Sequence, residues 1–347
     1  MNVVSRLVQW QLGNRTSLLA NMNVGLANGY QIGAWTVPWT VVAGSNASYF
    51  KPENVELYIE EGHLEITDPE LARRISEVTT QQDKLKLLGK SSFHDGPTLG
   101  LLDIGETQKG DEEEPVLRIH LKRSNYFMFL AIVNRLDEKF TDTNGSLTTI
   151  RQKYISGNYK EPVPQLAPVF AIQMSLITND GYFLVTKRAS KGVAGYANHL
   201  APAVNECLHP IKDKLLGEIS ILATVIRSAK EELNIEISES EIKFFTMGVD
   251  QAEYMYTLTG VIECKEFDKQ MLSARLKQGA KEGFESDGYF FLGPDLGTCA
   301  KEMSQLSEQF KWAPYGVVCL TQAMVYKFAS LRRVEEALTI NPPKSNC

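Results

Sequence analysis

The sequence predicts an α+β fold in two parts, a mixed N-terminal segment over residues 1–160 and a second unit over 161–347. Three observations lead there. Residues 169–188 read as strand, turn, strand; residues 116–122 alternate as a half-buried strand; and Ile221, Leu222, Val225, Ile226, Ala229 and Leu233 recur at helical spacing. A chain of 347 residues with 43% hydrophobic content is long enough for two domains and apolar enough for a substantial core.

In the first segment, Met1–Leu7 lacks a basic region followed by a long apolar core, so no secretory signal is expected. Residues 17–44 carry Leu18, Leu19, Val24, Leu26, Ile32, Val37, Val41 and Val42. Asn21, Asn23, Asn28 and Gln31 interrupt them, so no membrane span is expected. Residues 55–60 alternate as a strand. Asp68-Pro69-Glu70 is a helix start ahead of Leu71, Ile75 and Val78, because proline tolerates the first helical position. Residues 98–103 form a second strand. In the third, Leu117, Ile119 and Leu121 face one side while Val116, Arg118, His120 and Lys122 face the other. Residues 125–134 are apolar and fit a buried helix or strand, with aromatics serving as core. The acidic stretch 110–115 is a turn and 141–146 a loop. Pro162 and Pro164 interrupt regular structure in 158–165, which marks the boundary between two independently folded units.

In the second segment, Val169–Thr178 is a strand, Asn179-Asp180-Gly181 a hairpin turn and Tyr182–Arg188 the return strand. A loop through Gly192 and Gly195 leads to Leu200–Glu206 and then to the helix through 221–233. Strands at 244–249 and 255–262 follow, then a helix near 266–280 and the pair Phe284-Glu285. Val317–Leu338 reads as one long helix with Val318, Leu320, Val325, Phe328 and Leu331 on its apolar face, followed by a polar tail from Asn341. That face serves packing, or alternatively a homodimer contact.

The chemistry gathers on the 221–233 helix. Arg227 and Glu231 are four apart and share a face, and Glu232 lies four beyond Ser228 on the adjoining stripe. Two carboxylates beside an arginine can hold a divalent metal against a phosphate. The segment resembles the Nudix box, G-x5-E-x7-R-E-U-x-E-E-x-G-U with U a bulky aliphatic. Arg227, Glu231, Glu232 and Ile235 match it, and Ala229 stands at the first aliphatic place. Ser228 replaces a glutamate, and Asn234 replaces the helix-ending glycine; asparagine tolerates the left-handed backbone such a cap needs. Nudix domains open with a hairpin like 169–188, commonly ending in a basic residue such as Arg188. Leu200–Glu206 sits where the family has its glycine-rich turn and first box glutamate. Glu206 reaches register with Arg227 only if residues 207–219 hold an insertion, and Glu218 is its rival.

The resemblance covers about 165–320 and implies a Nudix-like α/β/α sandwich behind the mixed N-terminal domain. It implies that Glu231, Glu232 and Glu206 hold Mg²⁺ or Mn²⁺, that Arg227 orients the glutamates, and that Glu285, with Glu282 behind it, adds a carboxylate from outside the box. Lys187, Arg188 and Lys191 are a cationic cluster for phosphate contact, or ordinary surface charge. Two functions follow. One is metal-dependent hydrolysis of a nucleoside diphosphate linked to another group. The other is a non-catalytic Nudix-fold module that senses a nucleotide or contacts a protein, favoured by Ser228 and the altered turn.

A net charge of −6 argues against a broad nucleic-acid footprint, so the expected partner is a nucleotide-type small molecule. Cys207, Cys264, Cys299, Cys319 and Cys347 are scattered and lack C-x-x-C spacing, which suggests neither a disulfide framework nor a zinc site. A reducing compartment, the cytoplasm, is expected. His94 and His199 read as ordinary loop or half-buried residues.

Overall fold

The computed structural model describes residues 29–45, 49–111 and 113–344. Met1–Leu7, the 17–28 part of the membrane-span reading and Cys347 lie outside the described residues. The fold is α+β. A three-stranded sheet is built from Val55–His63, Glu114–Asn125 and Pro97–Lys109, with the second in the middle. Leu117, Ile119 and Leu121 are buried while Arg118 is exposed, as the alternation predicts. Asp68 caps the Pro69–Leu87 helix by accepting from Leu71 N–H at 2.9 Å. Residues 126–130 settle the open choice as a short helix.

The larger sheet has eight strands, in the order Leu200–Ala201, Phe183–Arg188, Phe170–Ile177, Met255–Glu263, Ile242–Asp250 and Trp39–Gly44. Val204–Cys207 also pairs with Phe170–Ile177, and Ser286–Leu292 with Phe183–Arg188. Helices cover both faces. Phe170, Ile172, Met174 and Leu176 share a core with Val225, Ala229 and Leu233 of the Ile221–Leu233 helix. Val169 and Ala171 share a second core with Val317, Val318 and Leu320 of the Pro314–Phe328 helix. This period-two division of one strand between two cores makes an α/β/α sandwich.

The hairpin at 170–188 opens as it leaves its turn. Its strands pair only through Phe183 with Ile177 and Leu184 with Leu176. Beyond that they part, and the 200–207 stretch fills the gap, Leu200–Ala201 bonding to one strand and Val204–Cys207 to the other. Glu206 is thereby held opposite Ile172, on the side that faces the Ile221–Leu233 helix.

The edge strand Trp39–Gly44 comes from ahead of residue 160 and pairs antiparallel with Ile242–Asp250. Leu101 N–H donates to Ala167 O at 2.8 Å, and Thr98 Oγ1 to Pro168 O at 3.0 Å, so the smaller sheet is bonded to the lead-in of the central strand. Gly100 permits this approach: a Cβ there would stand 2.9 Å from Ala167 O.

The expected long helix over 317–338 is instead two, Pro314–Phe328 and Leu331–Ile340. Ala329 turns into the left-handed region at φ 50°, and Ser330 caps the second helix by accepting from Arg333 N–H. The break folds Val334 and Leu338 back into the second core, which one straight helix would carry past it. No described helix is long and apolar enough to cross a membrane. Cys207, Cys264, Cys299 and Cys319 are free thiols.

Candidate functional site

The Ile221–Leu233 helix begins at Ser220, which accepts from Ala223 N–H, and ends at Asn234 with φ 57° and ψ 36°. Asparagine therefore occupies the left-handed cap directly, and its Nδ2 donates to Gly279 O at 3.2 Å. With the apolar stripe committed to the core, Arg227 and Glu231 emerge on the opposite flank.

Arg227 is the hub. Nε and Nη2 donate to the two oxygens of Asp213 at 2.5 and 3.0 Å, a bidentate fork, while Nη1 donates to Glu206 and Glu231, each at 2.9 Å. Asp213 is fully buried and also accepts from His209 N–H at 2.8 Å. It comes from the stretch that separates Glu206 from the helix. That stretch holds a small hairpin pairing Lys214–Leu215 with Glu218–Ile219. Glu206 meets Arg227 across this hairpin; Glu218, on the hairpin, is exposed.

Carboxylate oxygens of Glu206, Glu231 and Glu282 lie within 4.8 Å of one another. Their environments differ. Burial pushes Glu206 up to about 7; Arg227 pulls the other way, and Glu282 and Glu285 add to the rise. Burial alone would raise Glu231 too, but hydrogen bonds from Lys281 and Arg227 prevail and hold it below the usual range. Glu282 N–H donates to the carbonyl of Glu231 at 2.9 Å, which pins the 280–285 turn to the end of the helix.

Behind this trio lies a deeper group. Glu232 accepts from Asn205 N–H at 3.4 Å to each oxygen and is raised well above the carboxylate range, by burial first and then by Glu206 and Glu285. Glu285 is raised by burial, with Arg188 opposing. Arg188 donates through Nε to Gly195 O at 3.1 Å. Burial works against its charge, but Tyr315, Glu285, Glu232 and Glu253 outweigh it and raise the guanidinium. Lys187 stands 3.9 Å from Asp287 and over the Phe310 ring, and Lys191 is exposed. Ser228 is buried, with Oγ donating to Thr224 O at 2.7 Å, so its hydroxyl is bonded back to its own helix.

Of the residues singled out in sequence, Glu206, Arg227 and Glu231 thus meet directly, Glu282 joins them, and Glu232, Glu285 and Arg188 form the adjoining deeper group. Asp213 and Lys281 were not anticipated. Asp213 carries no motif, and it lies within 207–219, the stretch that sets how far Glu206 stands from Arg227 in sequence.

Three hard oxygen donors suit Mg²⁺ or Mn²⁺ better than a soft metal. No family model and no curated protein matches the chain. Solved structures similar to part of it include a protein of Deinococcus radiodurans, 11% identical, covering 54% of this chain and 98% of its own, at a TM-score of 0.30. They also include a MutT/nudix family protein from Enterococcus faecalis, 14% identical, covering 50% of this chain and 81% of its own, at a TM-score of 0.27.

Proposed function

We propose that this chain is a metal-dependent hydrolase of a nucleoside diphosphate linked to another group. The observation that carries the reading is the convergence of Glu206, Glu231 and Glu282 within 4.8 Å beside an arginine that already bonds three carboxylates. Mutual repulsion of three such groups is relieved by a divalent cation, which Glu206, Glu231 and Glu282 would hold, with Glu232 as a further ligand from the deeper side. When bound, the cation supplies positive charge against phosphoryl oxygens. Arg227 keeps Glu206 and Glu231 turned toward the shared point. Glu285 and Glu232, both raised by the burial around them, hold a proton more readily than an exposed carboxylate does. Arg188 offers its terminal amines to a phosphate, and Lys187 adds charge at the rim.

The second reading is a nucleotide-binding module without turnover. It draws on Ser228, whose burial leaves the helix one carboxylate short of the box. Incubating the purified protein with a panel of nucleoside diphosphate derivatives and Mg²⁺ or Mn²⁺ separates the two. Turnover that requires the metal supports the enzyme, binding without turnover supports the module, and neither would remove both readings.

A further inference from the structure

Each carboxylate oxygen of Glu231 is held by a cationic side chain of the protein itself. Oε2 accepts from Arg227 Nη1 at 2.9 Å, and Oε1 accepts from Lys281 Nζ. Glu206 is engaged on both oxygens too, Oε2 by the same Nη1 at 2.9 Å and Oε1 by the Cys207 amide at 2.9 Å. A cation drawn to Glu231 therefore meets a positive charge on either side of the carboxylate.

The two partners of Glu231 differ in what holds them. The Arg227 side chain is only 15% exposed, and its other nitrogens fork onto fully buried Asp213, so withdrawing it would strand a buried charge. The Lys281 side chain is 66% exposed, and among the described residues Glu231 is the one hydrogen-bond acceptor of its ammonium. Such a pair is weak, and the four-carbon stem lets the ammonium swing into water. The backbone beneath it is fastened on either side. Asn234 Nδ2 donates to Gly279 O at 3.2 Å and Glu282 N–H to Glu231 O at 2.9 Å, so the turn stays on the helix when the lysine side chain leaves. Glu282, the third member of the trio, thereby keeps its place beside Glu206 and Glu231.

We propose that Lys281 is a displaceable counter-ion, its ammonium neutralising Glu231 in the metal-free protein and giving up that carboxylate when a divalent cation binds. The inference rests on the trio being a divalent-metal site. It adds which side chain moves on metal entry, and that this side chain sets the affinity of the site. The exchange favours an ion with twice the charge of an ammonium and an affinity for several carboxylate oxygens at once, whereas Lys281 bonds one. Monovalent cations lack that advantage.

The test measures Mn²⁺ binding by calorimetry on the full-length chain, on Lys281→Met and on Lys281→Arg. Methionine keeps an apolar stem without the charge, and arginine keeps the charge. Lys281→Met is expected to bind Mn²⁺ roughly three- to tenfold more tightly, since no ion pair has to be broken and no ammonium repels the metal. Lys281→Arg is expected to bind no more tightly than the unaltered chain. Unchanged affinity in Lys281→Met overturns the proposal. So does weaker binding, which would make the lysine a strut that aligns the carboxylates, and so does an equal gain in Lys281→Arg, which would take the effect away from the charge. If the unaltered chain binds Mn²⁺ and Lys281→Met binds it no more tightly, this inference fails while the metal reading stands; if neither binds Mn²⁺, both fail.

Discussion

Arg227 Nη1 lies 2.9 Å from Glu206, a residue 21 positions earlier in the chain, and the same nitrogen serves Glu231 at the same distance. One guanidinium therefore joins a strand, a helix and, through Asp213, the hairpin between them. Replacing it leaves Asp213 fully buried without its counter-charge, which is the costly way to break a buried pair. Arg227→Met is expected to lose about 3–5 kcal/mol by urea denaturation. A loss under about 1 kcal/mol would show the fork to be dispensable.

The pH dependence of the metal-free protein should carry the mark of Glu206. Its folded value of about 7 lies above the ordinary 4.5, so between these limits the native chain holds a proton that the unfolded chain has released. Stability from this group falls as pH rises across that window. Glu206→Gln should flatten the slope between pH 5 and 7, measured by denaturation at a series of pH values on the order of one unit apart. An unchanged slope would assign the titration elsewhere.

Metal affinity should separate the carboxylates. Glu231→Gln removes a ligand-type charge from the trio and is expected to weaken Mn²⁺ binding about tenfold or more in calorimetry, and Glu282→Gln likewise. Glu232→Gln is expected to weaken it as well, and by less, because Glu232 faces the deeper group and Asn205. Three variants with unaltered affinity and intact folds would remove this cluster from metal binding.

Asn234 offers a backbone test. At φ 57°, Asn234→Gly should change stability by no more than a few tenths of a kcal/mol, whereas Asn234→Ala should lose roughly 1 kcal/mol through left-handed strain. Equal stability of the two would mean that the helix end rearranges.

The stretch 158–165 is proposed as the boundary between the two parts, and limited proteolysis tests it. Cleavage there should leave two pieces that co-elute on size exclusion, because Trp39–Gly44 is bonded into the sheet of the C-terminal part. A C-terminal piece that separates and stays folded would show that this strand is dispensable.

What could be read from the sequence was chemistry confined to neighbouring residues. Asn179-Asp180-Gly181 specifies its own turn, Asp68-Pro69 its own helix start, and Asn234 its own left-handed cap, so each was legible without knowledge of the rest. The kink at Ala329 was not, since alanine gives no sign of positive φ and the apolar pattern continues across it; Ser330 was the one local hint of a new start. The Asp213 clamp and the choice of Glu282 over Glu285 for the trio depend on how distant loops return, and the pairing of Trp39–Gly44 depends on a partner far along the chain. Helical spacing fixed which side chains of 221–233 could act together; it could not say what would face them.

The edge strand also bears on how the molecule is made. During synthesis Trp39–Gly44 emerges early, but Ile242–Asp250 follows only roughly 200 residues later, a long-range pairing of the kind that slows folding. Until then a strand carrying Trp39, Val41 and Val42 must wait with both backbone edges open, a state prone to capture by other nascent chains. The earliest-made strand of the eight-stranded sheet thus waits longest for its partner, and yield of the folded protein should depend on what shields that strand on the ribosome.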